Sequence, residues 1–259
     1  FGGNEIDHSN STVDPVSDAQ VVEAELMLAD LESLERRRGV ITKKKRGGDK
    51  DARALLEVIS MAEASLSEGC PVRSISPDPP MSHLLASLEL LSAKPVMYVC
   101  NVDEPAILDG NSYSRTLQVY ADSRNAACVV TSARIEAEIA AIEEASERSA
   151  FLETLGLADS GLARVISAGY SLLDLITFFT AGPKEARART LRRGSSAVEA
   201  AAKVHSDFAR GFIRAETISY ADFISLGGET GAREAGRLRQ EGRDYLVDDG
   251  DVILFRFNV

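Results

Sequence analysis

The chain has 259 residues, of which 44% are hydrophobic and 27% charged, and 29 Lys and Arg against 40 Asp and Glu give it a formal charge of −11. This composition can bury a sizeable core, which argues against a disordered or purely coiled-coil chain, and the length suggests about two domains. No apolar run approaches the roughly 18 residues of a membrane span and no signal-peptide layout opens the sequence, so we expect a soluble, cytoplasmic protein without a membrane partner.

A helical hairpin is predicted after an irregular stretch over residues 1 to 16. Asp18 has the residue type of an N-cap, and an apolar seam at helical spacing follows it, formed by Val21, Ala24, Leu28 and Leu31. A second seam of the same kind is formed by Leu55, Ile59, Ala62 and Leu66. A basic tract and Gly47-Gly48 lie between the seams, so we predict two antiparallel helices packed along them and joined at a basic tip.

The predicted tip is basic although the chain as a whole is acidic. From Arg36 to Arg53 there are nine basic and two acidic residues. Such a cluster favours salt-sensitive contacts with the phosphates of RNA, whereas the alternative is a solvated loop in which any charges are tolerated. The tip carries no aromatic residues, so base-specific recognition is not expected there. The candidate RNA-binding residues are Arg36, Arg37, Arg38, Lys43, Lys44, Lys45 and Arg46.

The middle of the chain has the pattern of a parallel α/β sheet. A proline-rich cluster ends the hairpin, and a helix is predicted over Met81 to Leu91. Two short β-rich runs without alternation, Pro95 to Cys100 and Ala127 to Thr131, predict strands covered on both faces, with helices over Ser112 to Arg124, Ile135 to about Ser149 and about Gly161 to Leu173. Two strands cannot make such a covered sheet, so we expect that the chain lacks the first part of an α/β domain.

The last 85 residues have a different period and predict a small α+β domain of ubiquitin-like, β-grasp type. Strands are expected over Leu175 to Phe179, Arg187 to Leu191 and Phe212 to Ile218, and as a hairpin within Tyr245 to Phe257 that turns at Asp248-Asp249-Gly250. Helices are expected over Ala197 to Val204 and Glu229 to Arg239.

Polar and small residues follow both strands of the predicted parallel sheet. Asn101-Val102-Asp103-Glu104 follows the first strand, at the edge where ligands of such sheets bind. An Asn amide and a carboxylate three residues later can hold a purine base, the carboxylate accepting from a base N–H and rejecting bases that lack a donor there. The alternative for the Asn is a turn cap.

The second strand ends in Thr131-Ser132-Ala133-Arg134. Its small side chains and backbone N–H groups would let the edge of a base approach closely, although Ser132 could equally be an ordinary helix cap. The two strand ends together predict both halves of a base-binding pocket.

Runs along nearly the whole chain resemble the YchF, or Obg-like ATPase, family of the P-loop GTPase superfamily. In the first part of the chain they are Val13-Asp14-Pro15, Glu25-Leu26-Met27-Leu28-Ala29-Asp30-Leu31-Glu32, Ala93-Lys94-Pro95-Val96, Asn101-Val102-Asp103-Glu104 and Ser132-Ala133-Arg134-Ile135-Glu136-Ala137-Glu138. Downstream they are Phe179-Thr180-Ala181-Gly182-Pro183-Lys184-Glu185, His205-Ser206-Asp207-Phe208, Gly211-Phe212-Ile213-Arg214-Ala215-Glu216 and Asp249-Gly250-Asp251-Val252-Ile253-Leu254-Phe255-Arg256-Phe257-Asn258.

The resemblance implies a domain organisation and a site. Residues 1–18 and 93–173 would form part of a P-loop NTPase-type nucleotide-binding domain, 19–92 its helical coiled-coil insertion, and 174–259 a TGS domain of β-grasp type. ATP with Mg²⁺, in preference to GTP, would be the ligand, because Glu104 stands where most GTPases have Asp. The residues that would hold the base are Asn101, Val102, Glu104, Ser132 and Ala133. Partners would be the ribosome, through ribosomal RNA or tRNA, and we expect a monomer.

The sequence also departs from the family. No G-x-x-x-x-G-K-[ST] motif occurs, nor do the family's metal-binding Thr loop and Asp-x-x-Gly segment, and Gly47-Gly48-Asp49-Lys50 has the wrong spacing to replace the motif. Phosphoryl transfer needs these groups, so the chain by itself is not expected to hydrolyse a nucleotide. Three hypotheses follow: most of an ATP-dependent, ribosome-associated regulator, a non-catalytic RNA- or ribosome-docking adaptor, or an inactive product of a truncated gene.

The histidine and cysteine residues do not predict a catalytic triad, a disulfide framework or a zinc site. His205-Ser206-Asp207 is predicted to cap a helix end, since adjacent residues do not supply the geometry of a catalytic triad. Cys70, Cys100 and Cys128 have neither disulfide-framework nor zinc spacing, and we predict reduced, mostly buried thiols and no protein-bound metal other than the Mg²⁺ of a nucleotide.

Overall fold

The computed structural model describes residues 13–45, 50–182 and 185–258, and the chain divides into two compact units between Ala168 and Gly169. The first unit is mainly helical with a small parallel sheet, and the second is built around a five-stranded sheet. None of the helices in the described ranges is long and apolar enough to cross a bilayer. The Arg46 to Asp49 part of the predicted tip lies outside the described residues.

The first unit opens with three helices, α1 (Pro15–Lys45), α2 (Lys50–Ser67) and α3 (Pro79–Ser87), and a short 3-10 turn at Val72–Ser74 lies between the last two. Helix α1 begins four residues earlier than predicted, because the Asp14 carboxylate, rather than that of Asp18, accepts from the backbone N–H groups of Val16 and Ser17, at 3.1 Å each. Helix α3 likewise begins two residues early, with prolines in its first turn, where a missing N–H costs nothing.

The buried face of α1 is not the predicted apolar seam. Val21 and Leu28 are 50% and 61% exposed, whereas Glu23, Asp30 and Leu34 are buried. Asp30 accepts from the N–H groups of Leu91 and Ser92, at 2.8 Å each, and from the Ser92 hydroxyl at 2.6 Å. Because these partners satisfy the carboxylate, a polar position forms part of the helix's packed face. The seam on α2 is confirmed at Ile59, Ala62 and Leu66, which are buried in the helical core.

Most of the basic tract is helical rather than a loop. Residues 36–45 belong to the C-terminal third of α1, so the predicted start of the tip is wrong. The Arg38 guanidinium pairs with the Glu63 carboxylate of α2 and donates to the Ser60 hydroxyl at 2.9 Å. This pair helps to hold α1 and α2 together and raises the pKa of Arg38 through its hydrogen bond to Glu63.

The sheet of the first unit has two parallel strands, β1 (Met97–Asn101) and β2 (Ala127–Thr131), in a register that sets Met97 beside Ala127 and Asn101 beside Thr131. The connecting helix α4 (Ser112–Ser123) and the bounds of β2 agree with the prediction. The next predicted helix is instead two, α5 (Ala133–Ala141) and α6 (Ala145–Thr154), followed by α7 (Gly161–Leu172). The break lets Phe151 and Leu152 pack back onto Ile135 and Ile139.

The two strands are not covered on both faces as expected. Buried Cys100 packs with α4 and the start of α1, whereas Val99, on the other face, is 42% exposed. Among the described residues, only one face of this sheet has a buried core.

The second unit has a mixed sheet in the order β4-β3-β7-β5-β6, in which β3 pairs parallel to β7 and the other pairs are antiparallel. Its strands are β3 (Leu175–Ala181), β4 (Ala186–Arg192), β5 (Phe212–Ser219), β6 (Arg239–Glu241) and β7 (Asp251–Phe257). Its helices are α8 (Ala197–Val204), α9 (Ser206–Arg210), α10 (Tyr220–Ser225) and α11 (Glu229–Glu234). Helix α8 covers the core formed by Ile176, Phe178, Ile253 and Phe255.

Two predictions for this unit are wrong and one is confirmed. No hairpin forms at residues 248–250, because the Asp249 carboxylate accepts from the Thr177 N–H at 2.7 Å and the Gly250 N–H donates to the Thr177 carbonyl at 2.8 Å, which fastens the turn to β3. The helix after residue 229 ends at Glu234, and Arg239–Glu241 is a strand. His205 is confirmed as a cap, its Nδ1 accepting from the Asp207 N–H at 3.2 Å.

Candidate functional site

The carboxyl ends of β1 and β2 meet at one edge of the parallel sheet. The Val102 N–H donates to the Thr131 carbonyl at 2.8 Å, which continues the ladder past the end of β1. The Asn101 side-chain oxygen then accepts from the Ala133 N–H, also at 2.8 Å. The structure therefore brings together the two strand ends that the sequence singled out, and the Asn101 side chain is the tie between them.

A cleft of about 420 Å³ opens between these strand ends. Its lining residues are Asn101, Val102, Asp103, Glu104, Pro105, Ser132 and Arg134. Glu104 starts a 3-10 turn (Glu104–Ala106), with Pro105 following it, and its side chain is exposed. Val102 is buried at 4% exposure and closes the inner end of the cleft. The lining therefore contains two carboxylates, those of Asp103 and Glu104, and one side-chain amide, that of Asn101.

The second strand end differs from the sequence-based interpretation. Ser132 is buried at 1% exposure and is the N-cap of α5, without a capping hydrogen bond from its side chain. Ala133 is not among the lining residues, and its N–H is bonded to Asn101 rather than directed at a ligand. Asn101 is thus a lining residue whose side-chain oxygen caps the first N–H of α5, and its role in holding a base stays a prediction.

Arg134 is a lining residue that sequence reasoning missed. Its side chain is 78% exposed, and its Nε lies 3.5 Å from Glu138 Oε1, one turn along α5. A planar guanidinium beside the cleft can stack on an aromatic ring or pair with an anion. Its position directly after the small residues Ser132 and Ala133 does not distinguish it from any other exposed arginine at a helix start.

The two strands that end at the cleft each carry a cysteine, and the two thiols are in contact. Cys100 Sγ, buried just before Asn101, lies 3.6 Å from Cys128 Sγ on β2. The contact with Cys128 holds the pKa of Cys100 below its ordinary value, and the same contact together with burial raises the pKa of Cys128. The three cysteines are free, but Cys70 is exposed, contrary to the expected burial.

The predicted RNA-binding residues do not form one uniform surface. Arg36 and Lys43 are exposed on α1, Arg37 is half-buried, and Arg38 is engaged with Glu63. Lys44 and Lys45 are part of α1, and Arg46 lies outside the described residues. Arg36, Arg37 and Lys43 are therefore the described members whose charge is not shared with an acidic partner on α2.

The described residues offer few groups that could bind magnesium or the phosphates of a nucleotide. Over residues 13–45, 50–182 and 185–258, no group of three His, Cys, Asp or Glu side chains could hold a metal ion. The cleft has one arginine in its lining and no glycine-rich loop. This lining does not fit a metal-bound triphosphate.

Comparisons with known proteins place this chain among longer relatives. The ribosome-binding ATPase YchF of Bacillus subtilis (strain 168) is 44% identical over 261 residues, and that of Escherichia coli O157:H7 is 44% identical over 259, each match covering all of this chain and 71% of the relative. The family YchF-GTPase_C, described as "Protein of unknown function (DUF933)", matches residues 175–258. The solved Schizosaccharomyces pombe YchF GTPase superposes with a TM-score of 0.84 at 28% identity, over 99% of this chain and 70% of the other.

Proposed function

The chain belongs to the YchF family, and from that premise we propose that the cleft between β1 and β2 binds the adenine base of ATP in a ribosome-associated regulatory protein. The observation that carries the proposal is the hydrogen bond of 2.8 Å between the Asn101 side chain and the Ala133 N–H. It fixes the two strand ends relative to each other, so the walls of the cleft are held at a constant separation before any ligand arrives. Preorganisation of this kind lowers the cost of ordering a site on binding.

Glu104 supplies the preference for adenine over guanine. Its carboxylate can only accept hydrogen bonds when ionised, and adenine offers an amino donor where guanine offers a carbonyl. A carboxylate facing a carbonyl leaves both groups without a donor, which costs about 1–3 kcal/mol for each buried unpaired group. Arg134 lies at the rim, where its guanidinium can cover one face of the ring.

The residues of this chain bind and orient the base, and no step of phosphoryl transfer is assigned to them. A P-loop, with its lysine and its ring of backbone donors, would supply phosphate binding, and no such motif occurs in the sequence. Hydrolysis of ATP is named for the relatives from Bacillus subtilis and Escherichia coli, and for this chain we propose nucleotide recognition alone.

The proposed division keeps 1–18 and 93–173 as part of a P-loop-type nucleotide-binding domain, 19–92 as a helical insertion and 174–259 as a TGS domain. Support for the last comes from the sheet order β4-β3-β7-β5-β6, in which the first and last strands of the unit pair in parallel at its centre. Helix α8 across one face of the sheet is the second feature of a β-grasp arrangement.

A nucleoside titration of the 15N-labelled chain tests the base site directly. Adenosine is expected to shift the amide resonance of Ala133 and the side-chain amide of Asn101, while leaving those of the second unit in place. The matched control Glu147→Gln, exposed on α6 and outside the cleft lining, should respond as the parent chain does. If adenosine at millimolar concentration moves no resonance of residues 101–104 or 132–134, the proposed site is wrong.

The hairpin gives a second candidate function, contact with ribosomal RNA. Helix α1 has 31 residues, or about 46 Å at 1.5 Å per residue, and it carries Arg36, Arg37 and Lys43 in its last third. Charges at the far end of a long hairpin can reach phosphates that a compact domain cannot. The RNA need not be read by sequence for such contacts to hold it.

Ribosome binding at several salt concentrations tests this second function. Neutralising Arg36, Arg37 and Lys43 together should reduce the slope of log affinity against log salt by about one for each phosphate contact that is lost. Lys94, Arg115 and Arg148, exposed elsewhere in the first unit, supply a charge-matched control triple variant. An unchanged slope in the triple variant would remove the hairpin from the interface.

A further inference from the structure

A second cleft lies at the other end of the two-stranded sheet. It has a volume of about 540 Å³, and Val96 and Ala126, which directly precede the strands, belong to its lining. We call the proposed adenine site at the carboxyl ends of β1 and β2 the base cleft. The five residues of each strand, at about 3.3 Å apiece, separate the second cleft from it by about 16 Å. Its size is within the range of about 300–1,000 Å³ that small-molecule pockets have. It is therefore a separate cavity rather than an extension of the first.

The charge of this cleft is opposite to that of the whole protein. Its lining includes Arg73 and Arg124 and no acidic residue, although the chain has a net charge of −11. Three serines, among them exposed Ser76, and the exposed thiol of Cys70 add small polar groups. A cationic, hydroxyl-lined cavity in an acidic protein favours an anion.

A buried carboxylate behind the cleft holds the two arginines in place. Glu23, at 7% exposure, pairs with the Arg73 guanidinium and lies 3.9 Å from Arg124 Nη1. It also accepts from the hydroxyls of Tyr98 at 2.9 Å and Tyr120 at 3.2 Å. Burial, followed by the bond to Glu23, raises the pKa of Tyr98, so this hydroxyl remains a donor at neutral pH. One carboxylate thus anchors the arginines from behind and leaves the pair with an excess positive charge.

Arg124 is the side chain that can turn to a ligand. It is 37% exposed, its contact with Glu23 is long, and its guanidinium lies over the Tyr120 ring at 5.3 Å from the centroid. Stacking on a ring fixes the plane of a guanidinium and leaves its edge N–H groups able to make paired bonds to phosphate oxygens. Asn125 beside it has a left-handed φ of 51°, which turns the chain sharply at the cleft rim.

We propose that the cleft lined by Arg73, Arg124, Ser76 and Cys70 is a second ligand site, which takes a small molecule bearing a phosphomonoester or diphosphate group. The phosphate lies against Arg124 and the outer edge of Arg73, and the Ser76 hydroxyl donates to it. The remaining volume accommodates the organic part of the ligand. The site lies in the same unit as the base cleft and is independent of it.

Cys70 provides a built-in reporter for occupancy. It is the exposed thiol of the three and it lines the cleft, so a bound ligand should slow its alkylation by uncharged N-ethylmaleimide. At a ligand concentration ten times the dissociation constant, protection of about tenfold is expected. The probes are inorganic pyrophosphate and ribose 5-phosphate, which carry no base and so do not report on the other cleft. Cys70→Ser identifies the labelled site by mass spectrometry.

Variants and salt controls decide the outcome. Arg124→Gln should weaken affinity by about tenfold, the cost of a lost charge-assisted bond, so that protection at the same ligand concentration falls to about twofold. Arg73→Lys should also weaken protection while keeping the contact with Glu23. Arg53→Gln, an exposed arginine on α2 outside the cleft, should leave protection unchanged. The proposal is overturned if potassium chloride of equal ionic strength protects as well as pyrophosphate does. It is equally overturned if single-stranded RNA protects Cys70 while pyrophosphate and ribose 5-phosphate do not.

Discussion

The Glu136 carboxylate on α5 accepts hydrogen bonds from the Gly161 and Leu162 N–H groups at the start of α7, at 2.6 and 3.0 Å. Helix α5 begins at the wall of the base cleft, so this carboxylate ties the cleft to the next helix of the unit. A negative charge at a helix N-terminus is also favoured by the helix dipole. The contact leaves no space for a larger residue at Gly161.

Substitution of Gly161 should therefore destabilise the first unit. A Cβ on Gly161 would lie 2.1 Å from the Thr131 hydroxyl oxygen and 2.8 Å from Glu136 Oε1. We expect Gly161→Ala to lower the free energy of unfolding by about 1–3 kcal/mol, measured by urea denaturation. Gly39→Ala, on α1 in the same unit, meets nothing within 4 Å and should raise it by about 0.5–1 kcal/mol. Equal effects from the two substitutions would contradict this packing.

The buried face of α1 can be tested with one pair of substitutions. Asp30→Ala leaves the N–H groups of Leu91 and Ser92 without their acceptor and should cost about 2–4 kcal/mol of unfolding free energy. Leu28→Ala, at a position that is 61% exposed, should change it by less than about 0.5 kcal/mol. The apolar pattern of the sequence alone predicts that Leu28→Ala costs more unfolding free energy than Asp30→Ala. That result would mean that the predicted seam, and not the face with Asp30, is the buried face of α1.

Hydrogen exchange of the Ala133 amide tests whether the Asn101 side chain holds the ends of β1 and β2 together. Asn101→Ala removes the acceptor of the Ala133 N–H, and exchange of that amide with solvent should accelerate by about fivefold, the equivalent of roughly 1 kcal/mol. The Val102 amide, bonded to the Thr131 carbonyl, is the internal control and should keep its protection. Unchanged exchange at Ala133 would mean that Asn101 does not hold the second strand end.

Acid sensitivity of the second unit should depend on Glu216. This buried carboxylate pairs with Arg256, Arg214 and Arg233 at 2.8, 3.0 and 3.7 Å, and the hydrogen bond from Arg256 is the main cause that lowers its pKa from the ordinary 4.5. A carboxyl group with a lowered folded pKa contributes stability above its unfolded pKa, and the contribution is lost as the pH falls through the folded value.

Glu216→Gln should accordingly lower the melting temperature of the second unit at pH 7 and reduce its free energy of unfolding by about 1–3 kcal/mol. This difference in unfolding free energy between variant and parent should shrink as the pH falls below 4.5. Glu185→Gln is the control, because its pair with Arg187 is exposed at both ends and contributes little. A gap between Glu216→Gln and the parent that stays constant down to pH 2.5 would rule out this linkage.

The sequence predicted correctly the strands and helices whose bounds are determined by residues close by in the chain. Strand β2 and helix α8 have the predicted bounds, because a β-rich run and a capping box at Ser196 and Glu199 determine them from neighbouring residues. The parallel arrangement of β1 and β2 was predicted from the helix between them. A parallel pair sets Asn101, at the end of β1, beside the end of β2, as the structure shows.

Predictions failed where a partner lies far along the chain. Asp30 is buried by residues 61 and 62 positions away, and Asp249 is fastened to Thr177, 72 positions away, so neither periodicity nor turn composition could indicate them. The same applies within the site, where the N–H of Ala133 is taken up by Asn101, 32 residues earlier. Arg134 was missed for another reason, since an exposed arginine at a helix start has no distinctive pattern.

The competition between adenosine and guanosine for the chain, measured with and without Glu104→Gln, tests the central claim most directly. A glutamine keeps the volume of Glu104 but offers an amide donor as well as an acceptor, so it can pair with the guanine carbonyl. We predict that the parent chain prefers adenosine by at least about fivefold, equivalent to roughly 1 kcal/mol, and that the variant loses most of that preference. Equal affinity of the parent chain for the two nucleosides, or a preference that Glu104→Gln leaves intact, would contradict the assignment of adenine recognition to this cleft.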